Sequence, residues 1–286
     1  MSQKTNYCFL IVFSIGLFNF SCYSQEKDLE YGLANIGIGS VVGGVGAIIN
    51  KRPEEKFGKT LLKGMAQGGF GGYLIFESKR IVREFSRSKN YNYIWPSKIV
   101  NAAGSSIIEN AAANRDFWER WHLNLGFNRF EVDTRDNFKL RYRVLPFSLT
   151  STIHMFSQAK LDVDRSMVFG TFVFEAQKPI QGYGFEATGA ASQHAIILKR
   201  IARWGHRVEA HELVHVYQNE SLLGINMFFN KPLESLKETN KYFRLYDKIF
   251  YTDFHWVIKQ GIYGLELNAN GYRAVSFERE ASYFSM

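Results

Sequence analysis

The chain has 286 residues, with 35 Lys and Arg against 27 Asp and Glu, and a formal net charge of +8. That length is enough for one or two domains with a real hydrophobic core. The two cysteines, Cys8 and Cys22, both lie in an apolar N-terminal segment, which excludes a mature fold stapled by disulfides. A basic balance alone would suggest nucleic acid as a partner, but the export signal described next argues against nucleic acid. Basic residues among 25 Phe and 15 Tyr fit a membrane surface or acidic envelope polymers better.

Residues 1–24 have the pattern of an export signal. A single lysine precedes an apolar run, residues 8–20, of signal-peptide length. Two processing sites fit: cleavage after Ser24, which we slightly favour, or a lipoprotein signal ending at residue 21 with the mature chain lipidated at Cys22. We therefore expect an exported protein of the periplasm or cell envelope, free, membrane-associated or lipid-anchored.

Residues 32–76 form two apolar segments rich in glycine, joined by a charged turn at residues 50–56. The pattern is a glycine zipper, with small residues at four-residue spacing that include Gly39, Gly43, Gly64, Gly68 and Gly72. Such spacing lets two helix backbones approach closely, so it predicts a tightly packed helical hairpin. The first segment is near the shortest length that spans a bilayer, and the second contains Lys63. Membrane association through residues 32–76 and a soluble packed hairpin are therefore equally open.

The rest of the chain divides into helical and strand-like stretches. The charges of residues 77–87 predict an exposed continuation of the helix, and residues 97–121 predict a further helix. Residues 122–198 alternate apolar and polar side chains, which predicts a meander of five or six antiparallel strands with a hairpin turn at residues 134–137. Mostly helices follow. The sequence thus predicts an α+β fold.

The most informative motif is His-Glu-x-x-His at residues 211–215. Residues four apart lie on one face of a helix, so His211 and His215 can offer imidazole nitrogens to one metal ion. Glu212 can then reach a water at that metal and take its proton, the arrangement that metal-assisted hydrolysis needs. Gln218 shares the same face and could bond a ligand or a substrate. The competing interpretation is an amphipathic helix whose histidines bond only to backbone or carboxylates.

A catalytic zinc ion usually takes three protein ligands and keeps a fourth position for water. Both cysteines lie in the N-terminal apolar segment and no third histidine follows closely, so the third ligand should be a carboxylate on a later helix. Glu278 and Glu280 compete for this role, and on a helix they point about 200° apart, so only one faces the metal. A solvated charged turn is the alternative for this pair. His255, Tyr251, Tyr263 and Tyr272 are further candidates, for steadying an oxyanion.

The segment from Glu278 through Ala281 and Ser282 resembles the second ligand helix of the gluzincin metallopeptidases, although Ser282 stands where that family often has an acidic or amide residue. Together, His-Glu-x-x-His-Val-x-Gln and the downstream Glu-x-Glu-Ala are similar to a broad group of predicted bacterial zinc metallopeptidases. The resemblance covers roughly residues 183–286 and rests on short motifs. It implies Zn²⁺ held by His211, His215 and Glu278, with Glu278 preferred over Glu280 and Glu212 as the catalytic residue.

The resemblance implies zincin-like helices that carry the metal ligands, in a metallopeptidase domain over residues 122–286. The helical glycine-zipper region would occupy residues 25–121. Residues 193–199 would be either the sheet edge that binds an extended substrate or a core strand. The expected function is a zinc-dependent hydrolase acting on peptide or protein substrates in the cell envelope. Two alternatives remain: an envelope structural or interaction protein with an inert metal site, and a zinc hydrolase of glycan peptides or other amides.

Overall fold

A computed structural model describes residues 25–135, 137–178, 180–182, 185–199 and 205–286. The predicted export signal at residues 1–24, with the alternative lipidation site Cys22, lies outside the described residues. The described chain begins with two long antiparallel-packed helices, α1 (Gln25–Ile49) and α2 (Phe57–Ser88). A Cβ on Gly39 would overlap the carbonyl oxygen of Gly68, and a Cβ on Gly68 would overlap that of Gly39. The predicted close packing of the two helices is found, and it requires glycine at both positions.

Helix α2 continues through the charged stretch that was predicted to be exposed, and this prediction is wrong. Lys79 and Arg83 are buried, together with Val82 and Phe85, because acidic side chains from other helices meet the two cations inside the protein. After a 3₁₀ turn at Tyr91–Tyr93, helix α3 (Ile94–Ala112) packs against both members of the hairpin. It ends well before residue 121, since Asn114 takes a left-handed conformation with φ 55° and turns the chain.

Nine strands and two short helices follow in the part of the chain that the structure describes. β1 (Arg120–Leu125), β2 (Asn128–Asp133) and β3 (Lys139–Val144) form a three-stranded antiparallel meander, and the predicted turn joins β2 to β3. After α4 (Pro146–Phe156) come β4 (Ala159–Asp162), α5 (Val163–Phe169), β5 (Phe172–Ala176), β6 (Ile180–Gly182), β7 (Phe185–Ala187), β8 (Gly189–Ser192) and β9 (Ala195–Lys199).

The α+β class, with N-terminal helices followed by antiparallel strands, is confirmed, but the single meander of five or six strands is wrong. A second sheet has the order β4-β5-β9-β8, and its central pair β5 and β9 is parallel. Helices α4 and α5 interrupt the strand region, and the excursion through β6, β7 and β8 returns the chain to β9 beside β5. Strand β9 is therefore internal and residues 193–199 are not the sheet edge. Among the described residues, β8 is the edge on that side.

The meander turns its charged face inward. His122, Arg129, Glu131 and Arg143 are buried, whereas Leu140 on the opposite face is exposed. Arg129 Nη2 lies 2.8 Å from Glu109 on α3, and its Nε lies 2.7 Å from Glu131. These carboxylates neutralise the buried guanidinium, and together they raise the pKa of Arg129 although burial opposes this. The alternation of side chains correctly predicts strands here, but an ionic cluster lies beneath them.

The last part of the chain, residues 205–286, is helical. It comprises α6 (Gly205–Ser221), a 3₁₀ segment at Leu223–Phe229, α7 (Asn230–Thr239), α8 (Lys241–Ile249), α9 (His255–Asn270), a 3₁₀ turn at Tyr272–Ala274 and α10 (Ser276–Phe284). The main hydrophobic core lies where α2, α6, α10 and the second sheet meet. It includes Phe85, Ile196, Leu213 and Phe284, all nearly inaccessible to solvent.

By length and composition alone, one helix among the described residues could cross a membrane. It is Lys27–Ile49, with a mean hydropathy of 1.7 and 44% of its apolar window buried inside the protein. A core helix of a soluble protein, a signal sequence and a membrane anchor all share these properties. The apolar N-terminal helix is thus compatible with export.

Candidate metal centre

Helix α6 carries the two histidines, and its packing directs them toward one side. Ala210, Leu213, Val214 and Tyr217 are completely buried in the main core. Burying this stripe leaves the opposite side of the helix, with His211 and His215, facing a partly accessible space. The four-residue spacing of the histidines then brings their rings together, with centroids 4.7 Å apart.

The structure brings His211, His215 and Glu278 together, with one donor atom from each lying within 4.8 Å of the others. The two Nε2 atoms are 3.1 Å apart. Glu278 Oε2 lies 3.2 Å from His211 Nε2, and Oε1 lies 3.4 Å from His215 Nε2. Bonds of about 2.0–2.2 Å to a tetrahedral zinc ion place neighbouring donor atoms about 3.3–3.6 Å apart. The three side chains therefore have the chemistry and nearly the spacing of three ligands of one such ion.

Two tyrosines hold the Glu278 carboxylate in place. Tyr263 Oη on α9 donates to Oε1 at 2.9 Å, and Tyr272 Oη donates to Oε2 at 2.7 Å. Burial alone would raise the pKa of Glu278, but hydrogen bonds from the two histidines and from Tyr272 lower it well below its usual range. The carboxylate is thus kept ionised, which is the state in which it could bind a cation.

A buried polar network supports His215 from behind. His215 Nδ1 lies 2.8 Å from Gln218 Oε1, and Gln218 Nε2 donates to Glu280 Oε2 at 2.8 Å. Glu280 also pairs with Lys79 Nζ at 2.9 Å and accepts from Asn35 Nδ2 at 2.7 Å. Glu280 therefore faces the glycine-rich hairpin, whereas Glu278 faces the two histidines. The network fixes the His215 ring so that Nε2 points toward His211 and Glu278.

Glu212 is buried beside the edge strand β8. Burial raises the pKa of its carboxyl group, while the charges of His211 and His215 oppose that rise. A Cβ on Gly189 of β8 would lie 2.8 Å from Glu212 Oε1. A side chain at position 189 would displace the Glu212 carboxylate, so Gly189 is needed for the strand to pass this close.

Lys259 is a residue that the sequence alone did not single out. It lies on α9, its Nζ donates to the backbone oxygen of His215 at 3.3 Å, and burial lowers its pKa to about 8. The charges of Glu278 and Glu212 oppose this lowering of its pKa, and the contact with His215 puts the ammonium group beside α6. A lysine within a helix is common, and only its burial beside α6 identifies it.

Of the four other candidates from the sequence, two contact Glu278 and two lie elsewhere. Tyr263 and Tyr272 contact Glu278, as described above, and are engaged as donors to it. Tyr251 lies instead under the Arg129 guanidinium, whose central carbon is 3.9 Å from the ring centroid. His255 is buried and contacts Asn226, with Nδ1 3.1 Å from the amide nitrogen. Neither Tyr251 nor His255 has a described contact with the three clustered side chains.

The chain was compared with known proteins in three ways, and it matches no protein-family model, no curated protein and no solved structure.

Proposed function

We propose that the protein is a zinc-dependent hydrolase, a gluzincin-type peptidase of the cell envelope. The observation that carries the proposal is the convergence of His211, His215 and Glu278 from two helices onto one point. The donor separations of 3.1–3.4 Å are close to those between neighbouring ligands of a tetrahedral zinc ion. Glu212 lies next to this point in sequence and in space.

Zinc bound by these three side chains would polarise the scissile carbonyl and lower the pKa of the attacking water. The remaining roles fall to the protein's own groups. Glu212 accepts the proton of the attacking water and delivers it to the leaving amine, for which a carboxyl group in a buried setting is suited. Lys259 supplies positive charge beside the centre, where charge develops on the carbonyl oxygen.

The edge strand supports an extended peptide as the substrate. Strand β8 ends the second sheet on the side next to α6, and its Gly189 brings backbone close to Glu212. An extended chain added antiparallel or parallel to β8 would pair with backbone groups and run past the carboxylate. The strand proposed to bind an extended substrate is therefore β8, instead of the strand at residues 193–199. A glycan-linked peptide or another amide would use the same groups.

A Glu212→Gln variant tests the proposal most directly. The substitution keeps size and polarity but removes the proton acceptor, so the purified variant should retain zinc and lose peptide hydrolysis by about 10²–10⁴-fold. Asp164→Asn, on the short helix α5, is the matched control that removes a carboxylate elsewhere. Cleavage of a denatured protein and of cell-wall peptide fragments should be followed in parallel to assign the substrate class.

The alternative is an envelope interaction protein in which the metal site is inert. Glu212→Gln that keeps both its zinc and the full cellular effect of the wild type would favour this alternative. The glycine-rich hairpin would then be the region that carries out the interaction. The ion pair of Lys79 with Glu280 ties the hairpin to the helix carrying Glu278 and is compatible with either function.

Membrane attachment is the second part of the proposal, and an outward stripe of α1 supports it. Large apolar side chains recur there every three to five residues and are exposed: Leu29, Leu33, Ile38, Val41 and Val45. No charged residue lies between Glu30 and Lys51. The stripe would lie against lipid while the opposite side of α1 packs on α2.

Flotation of the purified protein with lipid vesicles tests this attachment. Val41→Glu places a charge on the stripe without entering the core, and should abolish flotation. Leu265→Glu, at an equally exposed site on α9, is the matched control and should float like the wild type. Equal flotation of the two variants, or a dimer in solution that does not float, would contradict membrane attachment through α1.

A further inference from the structure

A polar cavity lies between the inward face of the meander and helices α7 and α8. Its volume is about 310 Å³, at the lower end of the range for small-molecule sites. None of the side chains that line it belongs to the cluster of His211, His215 and Glu278. The cavity is thus a separate candidate site, for which the proposed hydrolytic chemistry has no use.

Positive charge dominates the walls of this cavity. Five basic side chains line it: Arg115, Arg120, Arg141, Arg143 and Lys237. Two carboxylates, Glu234 and Asp247, share the lining. The lining itself holds five cations against two anions, and carboxylates just behind the wall neutralise part of this positive charge.

Three of the cations are already neutralised. Arg120 pairs with Asp133 at 3.2 Å, and Arg143 pairs with Glu131 at 2.7 Å. Lys237 pairs with both lining carboxylates, at 2.9 Å from Glu234 and 3.1 Å from Asp247. These ion pairs hold Arg120, Arg143 and Lys237 within the wall. The two other lining arginines, Arg115 and Arg141, lie outside these pairs.

Arg115 and Arg141 have no carboxylate partner among the described residues. The Arg115 guanidinium contacts neutral groups, with Nη1 3.4 Å from Asn110 Oδ1 and Nη2 3.4 Å from Met227 Sδ. Burial and the charge of Arg120 lower its pKa, and the more distant charges of Glu109 and Glu131 offset only part of this. A guanidinium without a counter-charge in such a place costs stability unless an anion joins it.

The remaining walls suit a small organic molecule. Asn226, Asn230 and Thr252 offer amide and hydroxyl groups, and Phe243 and Tyr251 offer ring surfaces. The cavity therefore combines a cationic region with walls that could hold the uncharged part of a ligand.

We infer that this cavity binds a small phosphate-bearing anion, with Arg115 and Arg141 as its principal ligands. A phosphomonoester carries nearly two negative charges at neutral pH, which matches two unpaired guanidinium groups better than a single carboxylate does. Guanidinium groups also present paired N–H donors in the fork geometry that phosphate oxygens accept. The source of the phosphate is either the free ion or an ester of a small molecule.

Calorimetric titration of the purified full chain with inorganic phosphate, at constant ionic strength, tests the inference. We expect one saturable site per chain. Arg115→Met should weaken binding at least tenfold, and Arg141→Gln, at an exposed position of β3 where folding is not at risk, should weaken it several-fold. Arg87→Met removes an exposed arginine from the end of α2 and is the matched control, with unchanged affinity.

Two further measurements sharpen the outcome. Glycerol phosphate that binds more tightly than inorganic phosphate identifies an ester as the ligand, and equal affinity identifies the free ion. Without phosphate, Arg115→Met should melt at a higher temperature than the wild type, because it removes a half-buried charge that has no paired carboxylate among the described residues. Phosphate binding that survives both pocket substitutions, falls equally in Arg87→Met, or is weaker than binding of malonate would overturn the assignment.

Discussion

Lys79 and Glu280 form a buried ion pair in which Nζ lies 2.9 Å from both carboxylate oxygens. Lys79 belongs to the glycine-rich hairpin, and Glu280 lies two residues after Glu278 on α10. Because Gln218 bonds to both Glu280 and His215, the pair connects the hairpin to the candidate metal centre. The hairpin is therefore a structural part of the site, whichever of the proposed functions holds.

Lys79→Met should strongly destabilise the protein. It leaves Glu280 charged and buried without its partner, a change that typically costs about 3–5 kcal/mol. Lys63→Met on the same helix is the matched control, since the Lys63 pair with Asp116 is exposed and should be worth less than about 1 kcal/mol. Urea unfolding of both variants measures the difference. Similar losses of unfolding free energy in the two variants would show that the buried pair contributes no more to stability than the exposed pair.

Gly68→Ala should disrupt the packing of α1 against α2. Its Cβ would overlap the Gly39 carbonyl oxygen, and backbone cannot move aside as a flexible side chain can. We expect a loss of about 1–3 kcal/mol or more. Gly58→Ala on the same helix meets nothing within 4 Å and should be neutral or slightly stabilising. Thermal unfolding of the two variants tests this expectation. Equal melting temperatures would show that the helix contact does not require glycine at position 68.

His122 should make folding stability depend on pH. Burial, together with the charge of Arg129, lowers its pKa to about 4 in the folded protein, below the ordinary value of 6.5. Between these values the unfolded chain binds a proton that the folded protein does not. Stability present above pH 6.5 is therefore lost as the pH falls toward 4, by about 3 kcal/mol for this group.

The matched comparison is His122→Asn with His154→Asn, since His154 lies on the exposed face of α4. Chemical unfolding with a metal chelator present, repeated at several pH values, gives the slope for each variant. His122→Asn should flatten the slope by about one proton between pH 6.5 and 4, whereas His154→Asn should follow the wild type. His255, whose pKa burial also lowers, leaves a residual slope in both. An unchanged slope in His122→Asn would contradict the assignment.

Zinc content provides a check on the candidate centre that is independent of activity. Wild-type protein should bind close to one zinc ion per chain, and His211→Ala should lose it, because two or fewer protein ligands hold zinc weakly. His206→Ala, at a half-exposed position on the same helix, is the matched control and should keep its zinc. Metal analysis after dialysis measures both. A wild type that binds no zinc would remove the basis for the hydrolase proposal.

Local periodicity explains what could be predicted from the sequence. The proximity of His211 and His215 follows from helical geometry within one turn, and the close helix contact at Gly39 and Gly68 follows from their spacing in two apolar segments. Glu278 was chosen over Glu280 from a resemblance and not from geometry. The structure brings Glu278 to the histidines, although its role as a metal ligand remains a prediction.

Tertiary packing explains what could not be predicted. Lys259 is an unremarkable helical lysine until α9 packs beside α6, and no local pattern records that contact. Alternation in Leu140 and Arg141 indicates a strand, but it does not say that the charged face of the meander is the inward one. That choice depends on Glu109, a carboxylate from another helix that neutralises the buried guanidinium of Arg129.

His211 on α6 and Glu278 on α10 are 67 positions apart in the sequence. Under the proposed function, no partially synthesised or partially translocated chain can hydrolyse anything before α10 has docked. Such latency would protect the secretion machinery and neighbouring nascent proteins from a premature peptidase, without requiring an inhibitory propeptide.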